Sequence, residues 1–312
     1  MARGLRFDMP IPYLGSKRKN GQKIFRTIKN LNPDGKVIVD LFCGGLAIGE
    51  LFYKDGWSVI ANDKNKYVIE LIREAVAGRF NDKVFTPDFI SRQEFNKVIS
   101  NPNDYDDWYV GYVQCIWSFG NNQTGYMFGK EAEPIKRAGH LLVVNQDSSE
   151  IKRLLPQIPQ KYIDGILRQD SWHTRRLALA RVSKALKTRV LELQQLEQLE
   201  RLQRLQQLER LQQLELSSES YDDVVIPDGA VVYCDPPYAG TAEYSEGGFE
   251  HNKFWQWARD VSKKHKIYVS EYSAPDDFKV LLAFPQKSTY AGGVQKHQNQ
   301  PTEKLFVYQG VK

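Results

Sequence analysis

The chain has 312 residues, 41% hydrophobic and 26% charged, with 43 Lys plus Arg against 38 Asp plus Glu and a net charge of +5. These are proportions of a globular protein of about two domains, and they exclude collagen-like, fully disordered and disulfide-scaffold chains. No apolar stretch reaches the roughly 20 residues of a bilayer-spanning helix, residues 1–20 lack the apolar core of a secretory signal, and Cys43, Cys115 and Cys234 form no CxxC pair. A cytosolic protein with reduced thiols is expected, without metal or membrane.

In chain order, residues 36–42 (KVIVDLF) are an apolar, β-branched run entering the turn Cys43-Gly44-Gly45, as a buried parallel strand does. Residues 46–54 follow as a helix, 58–61 as a second strand ended by Asn62-Asp63, and 66–77 as a second helix. This alternation predicts a doubly wound α/β sheet. It fades over residues 81–159, which hold turn clusters and many aromatics, and resumes at 230–234 (AVVYC), which ends in Asp235-Pro236-Pro237-Tyr238. A helix over 254–264 and strands over 266–269 and 304–308 complete the pattern. The sheet is therefore interrupted by a long, mainly helical insertion. Expected boundaries are 1–85 and 217–312 for the two parts of the α/β domain, 86–190 for the insertion and 191–216 for a repeat.

The repeat, residues 193–216, is eight triplets that each begin with leucine. All its residue types favour helix, but a period of three moves each leucine back by about 60° around an α-helix, so no single stripe forms. A long 3₁₀ helix would align them at poor hydrogen-bond geometry. The expectation is a helix expanded inside a tolerant connection, with a solenoid-like stack as the alternative.

Charge is uneven. Residues 130–190 hold thirteen basic and six acidic side chains, an excess larger than that of the whole chain, which suits a phosphate-facing surface. On a helix over 171–190, Arg181, Lys184 and Lys187 follow one another on one side as a phosphate track, and Lys130 and Arg137 belong to the same basic stretch. Residues 105–128 carry eight aromatics, most of them suited to the insertion's own core. The segment 119–129 (FGNNQTGYMFG) is a hairpin candidate, with Asn121, Asn122 and Gln123 at a tip that can enter a duplex.

Two patterns carry chemistry. Asp235-Pro236-Pro237-Tyr238 follows an apolar strand, at the carboxyl end where open α/β sheets bind ligands. A carboxylate and a backbone carbonyl each accept one N–H of an –NH2 group, the prolines remove competing donors, and tyrosine offers a face for a planar base. Asp40-Leu41-Phe42-Cys43-Gly44-Gly45 is a glycine turn open to a cofactor, and Asp63, 19 residues beyond Gly44, stands where an acid accepts from ribose hydroxyls. The run GGLAIG does not match GxGxxG and is a poor nicotinamide-type fingerprint; a cofactor without phosphates, such as S-adenosylmethionine, needs no phosphate-cradling loop. Asp40 and Asp235 lie 195 residues apart, so a large element is inserted between the cofactor strand and the catalytic strand.

Pro12-Tyr13-Leu14-Gly15-Ser16-Lys17, DLFCGG, Asn62-Asp63 and DPPY, in this order, resemble the motifs of alpha-class, Dam-like DNA N6-adenine methyltransferases, many of them phage-encoded or lacking a partner nuclease. The resemblance covers residues 9–77 and 219–274; Leu46 stands where the family often has another glycine. It implies S-adenosylmethionine held by Tyr13, Lys17, Asp40, Phe42, Gly44, Asp63 and Tyr221. It also implies methylation of a flipped adenine at Asp235, Pro236, Pro237 and Tyr238, and target recognition in duplex DNA by the insertion, inside a bacterial host cell. Ser270-Glu271-Tyr272 falls where a further strand end faces the target pocket. An RNA base methyltransferase, or a DNA-binding protein on an inactive scaffold, is the competing reading.

Overall fold

The computed structural model describes residues 11–13, 17, 19–185, 196–238, 248–284 and 302–309. In chain order these form α1 (Gly21–Leu31), β1 (Val37–Asp40), α2 (Gly49–Lys54), β2 (Ser58–Asn62), α3 (Lys66–Val76), α4 (Arg92–Ser100), α5 (Asp107–Trp117) and α6 (Glu133–His140). Then come α7 (Ser149–Leu154), α8 (Gln160–Leu167), α9 (Trp172–Ala185), α10 (Glu197–Leu205), β3 (Leu214–Ser217), β4 (Val231–Cys234), α11 (His251–Val261), β5 (Lys266–Glu271), β6 (Phe278–Phe284) and β7 (Glu303–Tyr308). Two compact units result: residues 17–69 with 211–309, and residues 11–13 with 70–210.

The first unit is built on one sheet of order β3-β2-β1-β4-β5-β7-β6, in which β7 runs antiparallel to both its neighbours and the other pairs are parallel. β1 and β4, far apart in sequence, are neighbours, with Asp40 opposite Tyr233. Their apolar runs make sense here because a central parallel strand is covered on both faces. Val39, Leu41, Val232, Cys234, Val269 and Phe254 form one core cluster. The order reverses between β1 and β4, and the carboxyl ends on either side of that switch point are where such sheets bind ligands. This is a methyltransferase-type α/β architecture.

The second unit is helical. Ser91 caps α4 by accepting from Glu94 N at 3.2 Å, a Ser-x-x-Glu pair of the capping-box type. Trp117, Phe80 and Phe95 are fully buried, and His140 lies among Phe89 and Trp117 with its Nε2 3.0 Å from the Pro87 carbonyl. Burial holds His140 neutral by pulling its pKa down to about 4.

The leucine triplets depart from expectation. Residues 191–195 lie outside the described residues; from residue 196 on the triplets are neither one continuous helix nor a tolerant connection, since α10 gives way to a 3₁₀ turn over Gln206–Arg210 and then to the edge strand β3. Leu196, Leu199, Leu202, Leu205, Leu208 and Leu211 are all buried, 3% exposed or less. The spiral of leucines buries α10 around much of its circumference, and the switch to three residues per turn then keeps the later leucines in line. Each fully buried leucine contributes about 2 kcal/mol. The triplets before residue 211 belong to the second unit and the rest to the first.

The segment 119–129 also differs from a two-stranded hairpin. It is a short loop closed by a single antiparallel bridge, Ser118 to Tyr126, with Phe119 N donating to Gly125 O at 2.7 Å and Met127 N to Trp117 O at 2.9 Å.

Candidate active site

The turn after β1 is organised by buried carboxylates. Gly44 has φ 45° and Leu46 φ 63°, so the position where the family pattern has a further glycine is left-handed, held in this chain by a fully buried leucine. Such a conformation costs about 1–3 kcal/mol outside glycine. Gly49 must be small, because a Cβ there would lie 2.9 Å from Leu46 Cδ1. Gly49 N donates to Asp40 Oδ2 at 3.0 Å, which places the amino end of α2 against Asp40. The other Asp40 oxygen is buried and has no hydrogen-bond partner. Burial, with smaller contributions from Asp235 and Asp63, pushes the Asp40 pKa up to about 7 against the opposing Gly49 hydrogen bond.

Asp63 braces the same turn: Oδ2 accepts from Gly44 N at 2.8 Å and Oδ1 from Asn65 N at 2.9 Å. Burial raises its pKa in spite of these two bonds. Beside it, Asn62 donates to Leu41 O and Glu219 O and accepts from Ser217 Oγ and Glu219 N, tying the ends of β1, β2 and β3 together. Asp63 is the residue the sequence singles out as functional; Asn62, marked there only as a strand end, is the organiser. Phe42 and Tyr221 form an aromatic wall, ring centroids 5.7 Å apart, backed by Phe249, Phe254 and Trp257.

At the end of β4, Lys17 Nζ lies 2.6 Å from Asp235 Oδ1 and donates to Tyr238 OH at 2.7 Å. Glu303, at the start of β7, stands 3.6 Å from the same ammonium and accepts from Asn20 Nδ2 at 3.0 Å. Burial raises the Asp235 pKa; the Lys17 ammonium is the largest opposing influence, while Glu303 adds to the rise. Burial, then the Asp235 charge, pushes the Tyr238 hydroxyl far up, so it is un-ionised. Tyr272 packs edge-on against Tyr238 at 4.7 Å, and Tyr233 OH lies 2.8 Å from Ser270 Oγ. The structure therefore brings together Lys17, Asp235, Tyr238 and the 270–272 segment. Glu303 and Asn20 carried no signal in the sequence: only the antiparallel return of β7 brings Glu303 here. Tyr13 is half-buried and groups with the second unit.

Among the proposed DNA contacts, Lys130, Asn122, Arg181 and Lys184 are exposed, and Leu177 shares the face of Arg181 and Lys184 at 46% exposure. Arg137 is paired with Glu150. Asn121 and Gln123 hold left-handed backbone. Lys187 lies outside the described residues, as do Leu14, Gly15 and Ser16. Two members of the basic stretch are structural instead: Arg175 is buried and donates to the carbonyls of Val143 and Gln169, and Arg176 donates to Glu200 and Gln203. Among the described residues no group of three or more His, Cys, Asp or Glu side chains is placed to hold a metal, and no helix is long and apolar enough to cross a membrane.

The order of the seven-stranded sheet is consistent with an α/β methyltransferase fold. Residues 13–110 match the family model of the D12 class N6 adenine-specific DNA methyltransferases. No curated protein matches the chain. The family match covers the part of the chain that carries the glycine turn and Asp63, agrees with the resemblance carried by the motifs, and is to a family of enzymes.

Proposed function

We propose that the protein methylates the N6 amine of an adenine extruded from duplex DNA, with S-adenosylmethionine as donor, in the cytoplasm of a bacterial host. The observation that carries this reading is Asp235: a desolvated carboxylate beside a buried lysine, at the end of the strand next to the cofactor-type turn. The residues present fit the donor. The unpartnered buried oxygen of Asp40 suits a methionine ammonium, the remaining lone pairs of Asp63 suit ribose hydroxyls, and the Phe42–Tyr221 wall suits an adenine ring. S-adenosylmethionine, when bound, supplies a methyl group activated by a sulfonium leaving group.

The target amine is a poor nucleophile because its lone pair is delocalised into the ring. Asp235 and the Pro236 carbonyl accept hydrogen bonds from its two N–H groups, which favours a pyramidal nitrogen and localises that lone pair. Positive charge growing on nitrogen then faces the fixed Asp235 charge, an interaction stronger in the transition state than before it. Lys17 serves this step by keeping Asp235 ionised, and the Tyr238 ring gives the extruded base a stacking face. Because the amine is enclosed in a duplex, flipping follows from the chemistry. Residues 119–125 contact the duplex, and Lys130, Arg181 and Lys184 follow phosphates.

Transfer from labelled donor is measured on duplex DNA, structured RNA and protein. Labelled N6-methyladenine in duplex DNA, lost by about 10²- to 10³-fold in folded Asp235→Ala, is the expected result. Label appearing only in RNA, or undiminished turnover in Asp235→Ala, refutes it.

A further inference from the structure

The tripeptide Leu-Glu-Arg occurs twice in the described part of the leucine repeat, at 199–201 and 208–210, with opposite fates. Arg210 is exposed; Arg201 is 4% exposed. From α10, Arg201 Nη1 donates toward Ser118 O at 2.8 Å, Cys115 O at 3.1 Å and Ile116 O at 3.4 Å, and Nη2 reaches Glu197 Oε1 at 2.9 Å. Cys115 and Ile116 belong to the last turn of α5, whose carbonyls have no partner within their own helix. Trp117 O, between them and Ser118, is taken by Met127 N from the far side of the loop neck. A buried guanidinium thus closes the negative end of α5, with charge complementary to the helix dipole.

The loop 118–126 continues directly from this end of α5. Gly120, Asn121 and Gln123 all have left-handed backbone, with φ between 58° and 64°. Non-glycine residues so held persist only where their surroundings over-determine them. Here Asn122 Oδ1 accepts from Thr124 N and Gly125 N, and Tyr126 OH donates to Ile90 O at 2.8 Å. The tip exposes Phe119 by 68%. The loop thus presents a large aromatic to solvent from a strained and pinned backbone.

We infer that Arg201 is a positioning residue for target recognition. Its guanidinium fixes the end of α5 so that the loop presents Phe119 and Asn122 to duplex DNA in one orientation, and the low-complexity triplets are a working part of the recognition unit. This rests on the reading above as a DNA methyltransferase.

The test uses the full chain and plasmid DNA methylated by the wild type, with modified adenines located by sequencing. Duplexes carrying the preferred word and its single-base variants then serve as substrates. Folded Arg201→Met should lose selectivity between them by about tenfold, up to about a hundredfold, and raise the KM for DNA, with donor affinity and kcat nearly unchanged. Phe119→Ala should produce the same change and the double variant no more, because the two residues act through one loop. Arg201→Lys keeps the charge without the fork and should recover part of the loss. Arg210→Met, the same tripeptide exposed, should behave as wild type. Unchanged selectivity in folded Arg201→Met, or full additivity with Phe119→Ala, overturns the inference. Should Arg201→Met fail to fold, wild-type selectivity in folded Arg201→Lys overturns it equally. A wild type that binds donor and methylates no duplex DNA refutes the underlying reading instead.

Discussion

Lys17→Met is the most informative single change, because it removes a charge and leaves a side chain of similar length. In the wild type the ammonium lies 2.6 Å from Asp235 Oδ1, and the two side chains are 6% and 17% exposed. Deleting one partner of a buried pair costs about 3–5 kcal/mol if the other remains charged. Asp235 escapes that penalty by binding a proton, at about 1.4 kcal/mol for each unit that the pH exceeds its pKa. Burial and the nearby Glu303 already favour the neutral acid, and only Lys17 opposes them strongly. Without Lys17 the Asp235 pKa moves further up, so more of Asp235 is protonated at a given pH and offers no charge to the developing cation, and methyl transfer falls by up to about 10²- to 10³-fold. Raising the pH ionises Asp235 and recovers activity, whereas Asp235→Asn has nothing to titrate and keeps a constant deficit. Single-turnover transfer from labelled donor at saturating DNA, from mildly acidic to alkaline pH, separates the two. A Lys17→Met deficit that does not shrink as pH rises refutes this account of Lys17.

Asp63→Ala should weaken donor binding more than it lowers turnover at saturating donor, since it braces the Gly44 turn and faces groups that do not react; calorimetric titration with unchanged affinity contradicts it. Asp40 binds a proton in the folded state that the unfolded chain has released between about pH 3.8 and about 7, so its contribution to stability is lost as pH rises through that window. The integrated effect is about 4 kcal/mol. Denaturant titration of Asp40→Asn should show that loss removed, leaving the opposite trend from His140, whose lowered pKa makes stability grow from about pH 4 to about 6.5. Neutralising Arg181 and Lys184 together should weaken binding to all DNA sequences and flatten its salt dependence by about one unit of slope per lost phosphate contact; an unchanged slope places the DNA surface elsewhere.

The strands β1, β2 and β4 and both chemical motifs were legible in the sequence because buried parallel strands are apolar runs and because turns at their carboxyl ends need particular residues. Val37–Asp40 with its glycine turn, Ser58–Asn62 with Asp63, and Val231–Cys234 with Asp235 are local statements, readable without knowing what lies beside them. Tertiary structure decided what depends on neighbours. The triplet pattern masks the alternation of Leu214 and Leu216 that makes β3, and a period of three does not say whether a leucine faces core or water. The basic residues between 130 and 190 look alike as charges, yet Arg175 and Arg176 are spent on carbonyls and side chains within the second unit while Arg181 and Lys184 stay exposed. Glu303 reaches Lys17, and Arg201 reaches the end of α5, across separations of 286 and 86 residues. Local sequence carries backbone preference and hydrophobic period; which charge meets which carbonyl is set only when distant elements pack.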